Sequence, residues 1–155
     1  MTSDLSKFKH TYQIRVRNYE IDWQGIVHNG NYLLYFEVAR VEYFKLAGLE
    51  IDERAITGKT KIVVVRNEID YLSQATYDDE LTIYTRIAAI KNSSFICEAV
   101  MIHAEKNIVV AKNVCVHAWL NPETNTASPV PTEIRKRINE FEEGNAAIQW
   151  PSIDV

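Results

Sequence analysis

The stretch from Asn18 to Tyr32 gathers the residue types that could do chemistry. It reads Asn-Tyr-Glu-Ile-Asp-Trp-Gln-Gly-Ile-Val-His-Asn-Gly-Asn-Tyr, with Asp22 between Ile21 and Trp23. A carboxylate between an apolar and an aromatic neighbour loses part of its water, which suits it to act as a base or a nucleophile. A helical pattern begins soon afterwards, at Asn31. The free N–H groups and positive dipole end of a helix start favour developing negative charge. Such a pair suits acyl transfer: the carboxylate attacks or activates water, and the helix end polarises a carbonyl and receives its oxyanion. On these residues alone, an aspartate that forms a turn or caps the helix is the plainer reading of Asp22.

Other candidates carry less. Glu37 could face a site, but Arg40 lies three residues on, and a helical ion pair accounts for both. Asp78 and Asp79 read as a solvated turn. His10, His28, His103 and His117 show no metal-ligand spacing with cysteines or carboxylates, so no metal is expected. Phosphate loops, dinucleotide fingerprints and Gly-x-Ser-x-Gly elbows are absent from the sequence, and no cofactor is expected. Cys97 and Cys115 sit in strand-like runs and read as reduced core thiols.

These residues need a scaffold, and 155 residues suffice for one domain over 1–155 with a core at about 10–120. With 46% apolar and 25% charged residues, the chain is globular rather than disordered. A net charge of -4 argues against broad binding to nucleic acid, which requires a basic face. The polar first ten residues lack the apolar core of a signal peptide, and no stretch approaches the roughly 20 apolar residues of a membrane span. A cytoplasmic protein is expected.

Residues 11–17 alternate, with Tyr12, Ile14 and Val16 on one side, as in a half-buried strand. A loop follows over 18–30. Residues 31–46 form a helix that is apolar on most of its circumference and therefore reads as buried, with Gly48 as its stop. Four β-rich runs come next: 61–72, 80–90, 95–105 and 108–120. The links 73–79, 91–94 and 106–107 are short and polar, which favours antiparallel neighbours, with 106–107 of hairpin length. After the turn-rich 121–131, Thr132 reads as the N-cap of a short helix reaching about 143, and 144–155 as a loose tail. The order predicts an α+β fold, a curved antiparallel sheet wrapped around one long helix. A long edge strand would invite a second copy, so a dimer or tetramer is expected.

The run Tyr19-x-x-Asp22-x-x-Gly25-Ile26-Val27-x-x-x-Asn31-Tyr32, followed by Phe36-Glu37-x-Ala39-Arg40, resembles the signature of the 4-hydroxybenzoyl-CoA thioesterase-like branch of the hotdog superfamily. Ala75-x-Tyr77-Asp78-Asp79-x-Leu81 and Ser94-Phe95 resemble two further family positions, in the expected order. The resemblance runs from about Tyr12 to Leu120. It implies an enzyme that hydrolyses an acyl-CoA thioester to the free acid and coenzyme A, the latter being part of the substrate.

By the same resemblance, Asp22 matches the aspartate that attacks the thioester or activates water. The backbone N–H of Asn29 matches the group that binds the carbonyl oxygen. Gly25, Asn31 and Tyr32 match residues around that helix start, while Lys91, Ser93, Ser94 and Phe95 match the region that meets the nucleotide end of coenzyme A across a subunit interface. Many relatives carry an aromatic residue at the position of His28 and a histidine or tyrosine at that of Asn29. Here the histidine comes one residue early, which leaves His28 as a pocket-lining residue. An acyl carrier protein thioesterase, a hotdog dehydratase and a non-catalytic acyl-binding module are the alternatives.

Overall fold

The computed structural model describes residues 4–49 and 60–152. Strand β1 (His10–Arg15) leads through a loop to helix α1 (Asn29–Leu46). Then come β2 (Lys61–Tyr71), β3 (Glu80–Ile90), β4 (Ser94–His103) and β5 (Val109–Leu120), followed by helix α2 (Thr132–Phe141) and the short β6 (Ala147–Ile148). The strand order is β1-β3-β4-β5-β2, antiparallel throughout, with β6 added in parallel to β3. This curved sheet holding one long helix is the hotdog arrangement that the resemblance implied.

The core follows from alternation. Leu81, Ile83 and Ile87 of β3, and Phe95, Cys97, Ala99 and Met101 of β4, are buried beneath the helix. Tyr32, Tyr35, Phe36, Ala39, Tyr43 and Phe44 of α1 meet them. Each large apolar side chain so enclosed stabilises the fold by about 1.5–3 kcal/mol. Two clusters result, one under each half of α1.

Several expectations need correction. The helix begins at Asn29, two residues early, because His28 caps it. It is not buried all round: Leu33, Leu34 and Val38 are exposed on the side away from the sheet. Arg40 is buried and donates to Asn113 Oδ1 at 3.4 Å, pointing to the sheet rather than out to the exposed Glu37. Strand β1 ends at Arg15, although Val16 still exchanges backbone bonds with Asp78 and Asp79. The hairpin after β4 is not a two-residue turn. The His103 N–H closes it on Ile108 O at 2.9 Å, with Asn107 at a positive φ of 54°. Thr132 is the first residue of α2 rather than its cap, and Pro131 occupies the cap position. Nor is the tail after Gly144 wholly loose: β6 pairs with Ala89 and Ile90, and the Gln149 N–H donates to Ile90 O.

The most consequential correction concerns the link 73–79. It does not join sheet neighbours, because β2 lies on one edge beside β5 while β3 sits between β1 and β4. Crossing three strand spacings takes about 14 Å, and seven extended residues span about 23 Å. A short link therefore suffices for the crossover, which runs past the start of α1 and meets the Asp22 loop there.

Candidate active site

The loop between β1 and α1 is folded by its own backbone. The Asp22 N–H donates to Ile26 O at 2.8 Å and the Gly25 N–H to Asp22 O at 3.0 Å, closing a tight turn. Gly25 takes a φ of +82°, a left-handed conformation that costs other residues energy. A Cβ there would meet nothing within 4 Å, so the demand for glycine is conformational. The crossover holds this turn from outside: Val27 N–H donates to Ala75 O, and the Thr76 hydroxyl to Gly25 O, both at 2.9 Å.

Within the turn, Asp22 Oδ1 accepts the Gln24 N–H at 2.8 Å. That bond fixes the carboxylate, while Oδ2 meets no donor among the described residues. Asp22 is half-buried, and Trp23 beside it is 92% exposed.

The start of α1 is partly satisfied and partly open. The Gly30 N–H donates to His28 Nδ1 at 3.0 Å, and the Asn31 N–H to His28 O at 2.9 Å. His28 therefore holds its ring proton on Nε2 and serves as the helix cap. Asn31 donates its side-chain Nδ2–H to Glu20 O at 2.8 Å, tying the helix to the preceding turn. The N–H of Asn29 has no acceptor among the described residues. It remains an open donor at the positive end of an 18-residue helix.

Beside this donor lies a cleft of about 430 Å³, lined by Ile26, Val27, Asn29, Tyr32, Tyr71 and Leu72 together with Ser73 and Gln74. Asp22 is not part of its lining. Its charge nevertheless reaches the cleft: burial pushes the Tyr32 phenol up, and Tyr71, Asp22 and Asp79 push it the same way. Tyr71 and Tyr32 meet edge to face at 5.4 Å.

The second group of expected site residues lies elsewhere. Lys91 is exposed, and its N–H donates to Ser94 O in the turn between β3 and β4. Ser93 and Ser94 are half-buried, and Ser93 O accepts the Trp119 N–H. Phe95 is 1% exposed and stacks on His117 at 4.7 Å, so it is core and offers no surface to a nucleotide. It also touches Phe44, near the far end of α1. A helix of 18 residues is about 27 Å long, so one chain alone does not unite the two groups. Among the described residues, no cluster of three or more His, Cys, Asp or Glu side chains could hold a metal ion.

Comparison with known proteins decides the family. A family model of the thioesterase-like superfamily matches residues 16–138, from the end of β1 into α2. The chain belongs to the thioesterase-like superfamily. This thioesterase is 28% identical over 132 residues to the long-chain acyl-CoA thioesterase FadM of Escherichia coli, covering 83% of this chain and 96% of that one. It is 27% identical over 141 residues to the chloroplastic acyl-acyl carrier protein thioesterase ATL3 of Arabidopsis thaliana, covering 88% and 70%. Among solved structures, a Thermus thermophilus thioesterase complexed with coenzyme A and Zn superposes with a TM-score of 0.77 at 30% identity, over 89% of this chain and 97% of that one.

Sequence reasoning missed Tyr71 and Thr76. The signal for Thr76 was its place in the crossover motif. Tyr71 ends a strand whose place beside the helix start became visible only with the sheet order.

Proposed function

We propose that this thioesterase hydrolyses acyl-CoA, with Asp22 as base or nucleophile and the Asn29 N–H as the oxyanion donor. The open Asn29 N–H beside an apolar cleft carries this reading. In the base route, Asp22 takes a proton from water as the water oxygen adds to the thioester carbonyl. The oxyanion forms against the Asn29 N–H and the positive end of α1. Collapse breaks the C–S bond, and the departing sulfur receives the proton, giving the free acid and coenzyme A. In the nucleophilic route, an Asp22 oxygen adds to the carbonyl itself, the C–S bond breaks as coenzyme A leaves as a thiolate that takes a proton from water, and the resulting hydroxide cleaves the anhydride to the free acid and the Asp22 carboxylate. Gly25, Asn31 and Tyr32 shape the turn and helix start, while His28 acts as a cap rather than in proton transfer.

Self-association brings in the second group of residues. Among the described residues, strand β2 has β5 on one side and no strand on the other, and Val64 and Val65 are exposed along it. Antiparallel pairing of two β2 strands about a two-fold axis sets the Lys61 end of one against the Tyr71 end of the other. Because Lys61 lies opposite Leu120, and Ala118 opposite Ser94, the partner's turn comes toward this cleft. Lys91, as a point charge for phosphate, and Ser93 and Ser94 would then meet the nucleotide end of coenzyme A. The free, buried thiols of Cys97 and Cys115 fit a reducing compartment such as the cytoplasm.

Thiol release from short, long and aromatic acyl-CoA esters tests the reading. We expect release by the wild type and a fall of about a hundredfold or more in Asp22→Asn, the size of losing a base or nucleophile. No release from any ester sinks the coenzyme A assignment. The assay then moves to acyl carrier protein esters, and failure there leaves an acyl-binding module.

A further inference from the structure

The first turn of α1 is weak by composition. Asn29-Gly30-Asn31 places poor helix formers where a helix frays, and Gly30 adds backbone freedom. An oxyanion donor must nevertheless be held to within a fraction of an ångström to be effective. His28 fixes Gly30, and Glu20 O fixes Asn31, yet neither grips Asn29 itself.

Tyr71 does. Its hydroxyl donates to Asn29 O at 3.3 Å, and its ring packs edge-on against Tyr32 at 5.4 Å. It is the last residue of β2 and 51% exposed, standing in the cleft wall beside Asn29. An edge strand and a helix start are thereby joined through one phenol.

Resting on the hydrolase reading above, we propose that Tyr71 is a positioning residue that holds Asn29 where its N–H meets the thioester carbonyl. The hydroxyl acts on placement, because it bonds the carbonyl of Asn29 rather than the peptide that bears the N–H. A single neutral hydrogen bond contributes about 0.5–1.5 kcal/mol, so its loss corresponds to roughly a two- to tenfold fall in rate.

Tyr71→Phe keeps the ring and the cleft and removes only the tie. Steady-state thiol release should show kcat falling about three- to tenfold with KM unchanged, since positioning matters most in the transition state. Hydrogen exchange at the hydrogen-bonded Gly30 and Asn31 amides should quicken, while exchange in the β3–β4 ladder stays as in the wild type. Tyr71→Leu, which also removes the wall, should raise KM as well. An active wild type with an unaltered kcat in Tyr71→Phe overturns this inference alone, and so does a lowered kcat with unaltered exchange. A change in assembly state on sedimentation assigns the loss to the subunit contact and overturns it too. A wild type inactive on every ester overturns the hydrolase reading, and this inference with it.

Discussion

At its first turn α1 leaves the Asn29 N–H without an acceptor among the described residues, and a water-accessible cleft opens beside it. Toward its last turns the same helix buries a face through Tyr43 and Phe44. Phe44 packs edge-on against the stacked Phe95 and His117, and Tyr43 donates its hydroxyl to the fully buried Glu142. Burial, and then the Arg40 charge, hold the His117 imidazole down at about 3, so it stays neutral in its aromatic stack. Arg135, 2% exposed, donates to the carbonyls of Lys91, Asn92, Val130 and Gln149. One end keeps polar groups free for a ligand, while the other spends charged side chains on the protein's own backbone. Buried polar groups left unmade are costly, and the Asn29 N–H escapes that cost because its residue is exposed to solvent.

The largest expected effect at the closed end comes from Arg135→Met. Four carbonyl oxygens lose the guanidinium, with Asn92 O alone keeping the Val130 N–H, and this loss costs about 3 kcal/mol or more and lowers the melting temperature by roughly 6–12 °C. Thermal unfolding reads this directly. Steady-state kinetics on the folded protein should show kcat retained and KM raised, because Arg135 fixes the turn that carries Lys91. Equal melting temperatures would break the contrast between the two ends.

Glu142 gives a smaller effect with a pH signature. Strand β1 pairs with β3 up to Thr85, and β6 resumes at Ala89, so the Ile87 N–H falls in a gap between them. Glu142 Oε1 fills it, accepting that N–H at 3.2 Å together with the Tyr43 hydroxyl. Burial holds the Glu142 carboxyl above its ordinary 4.5, against the pull of the Tyr43 and Ile87 bonds and the Arg86 and Lys9 charges. The stability linked to this raised value is complete below pH 4.5 and is lost as pH climbs through the folded value. Glu142→Gln keeps a neutral acceptor at every pH. Its melting temperature should match the wild type in acid and exceed it by a few degrees in alkali, at about 2–4 °C per kcal/mol. Comparing the two proteins isolates Glu142 from His10, whose imidazole is held down by burial in both. Parallel melting curves across pH would refute the assignment.

How far each end could be read from the sequence follows the same division. Asp22, Gly25 and Asn31 stand in one local stretch, where a tight turn and a helix start fix their relations within a few residues. Periodicity also reveals the strands, because alternation is local. The sheet order is not local: seven linking residues are enough either to turn back or to cross two strands, and length alone does not choose. The closed end was hidden for a different reason. Arg135, Ile138 and Glu142 recur at helical spacing along one face of α2 and just beyond it, so the buried stripe carries two charges. Charges suggest a solvated face, and only partners distant in sequence make their burial tolerable: the carbonyls of 91–92, 130 and 149 for Arg135, and Tyr43 and Ile87 for Glu142.

His28 offers the smallest and sharpest test, because it stands on the boundary between satisfied and open donors. Its Nδ1 accepts the Gly30 N–H, one residue beyond the free Asn29 N–H. His28→Ala should cost about 1 kcal/mol, as other lost N-caps do, and lower the melting temperature by roughly 2–4 °C. His28→Asn restores a side chain that caps well and should recover that stability. If capping is the whole role, His28→Asn also recovers kcat, and its pH–rate profile overlays that of the wild type. A His28→Asn protein that melts like the wild type yet turns over slowly would show that the imidazole takes part in the chemistry. On the proposed mechanism, the open end would then comprise two reacting side chains rather than the Asp22 carboxylate and the Asn29 N–H alone.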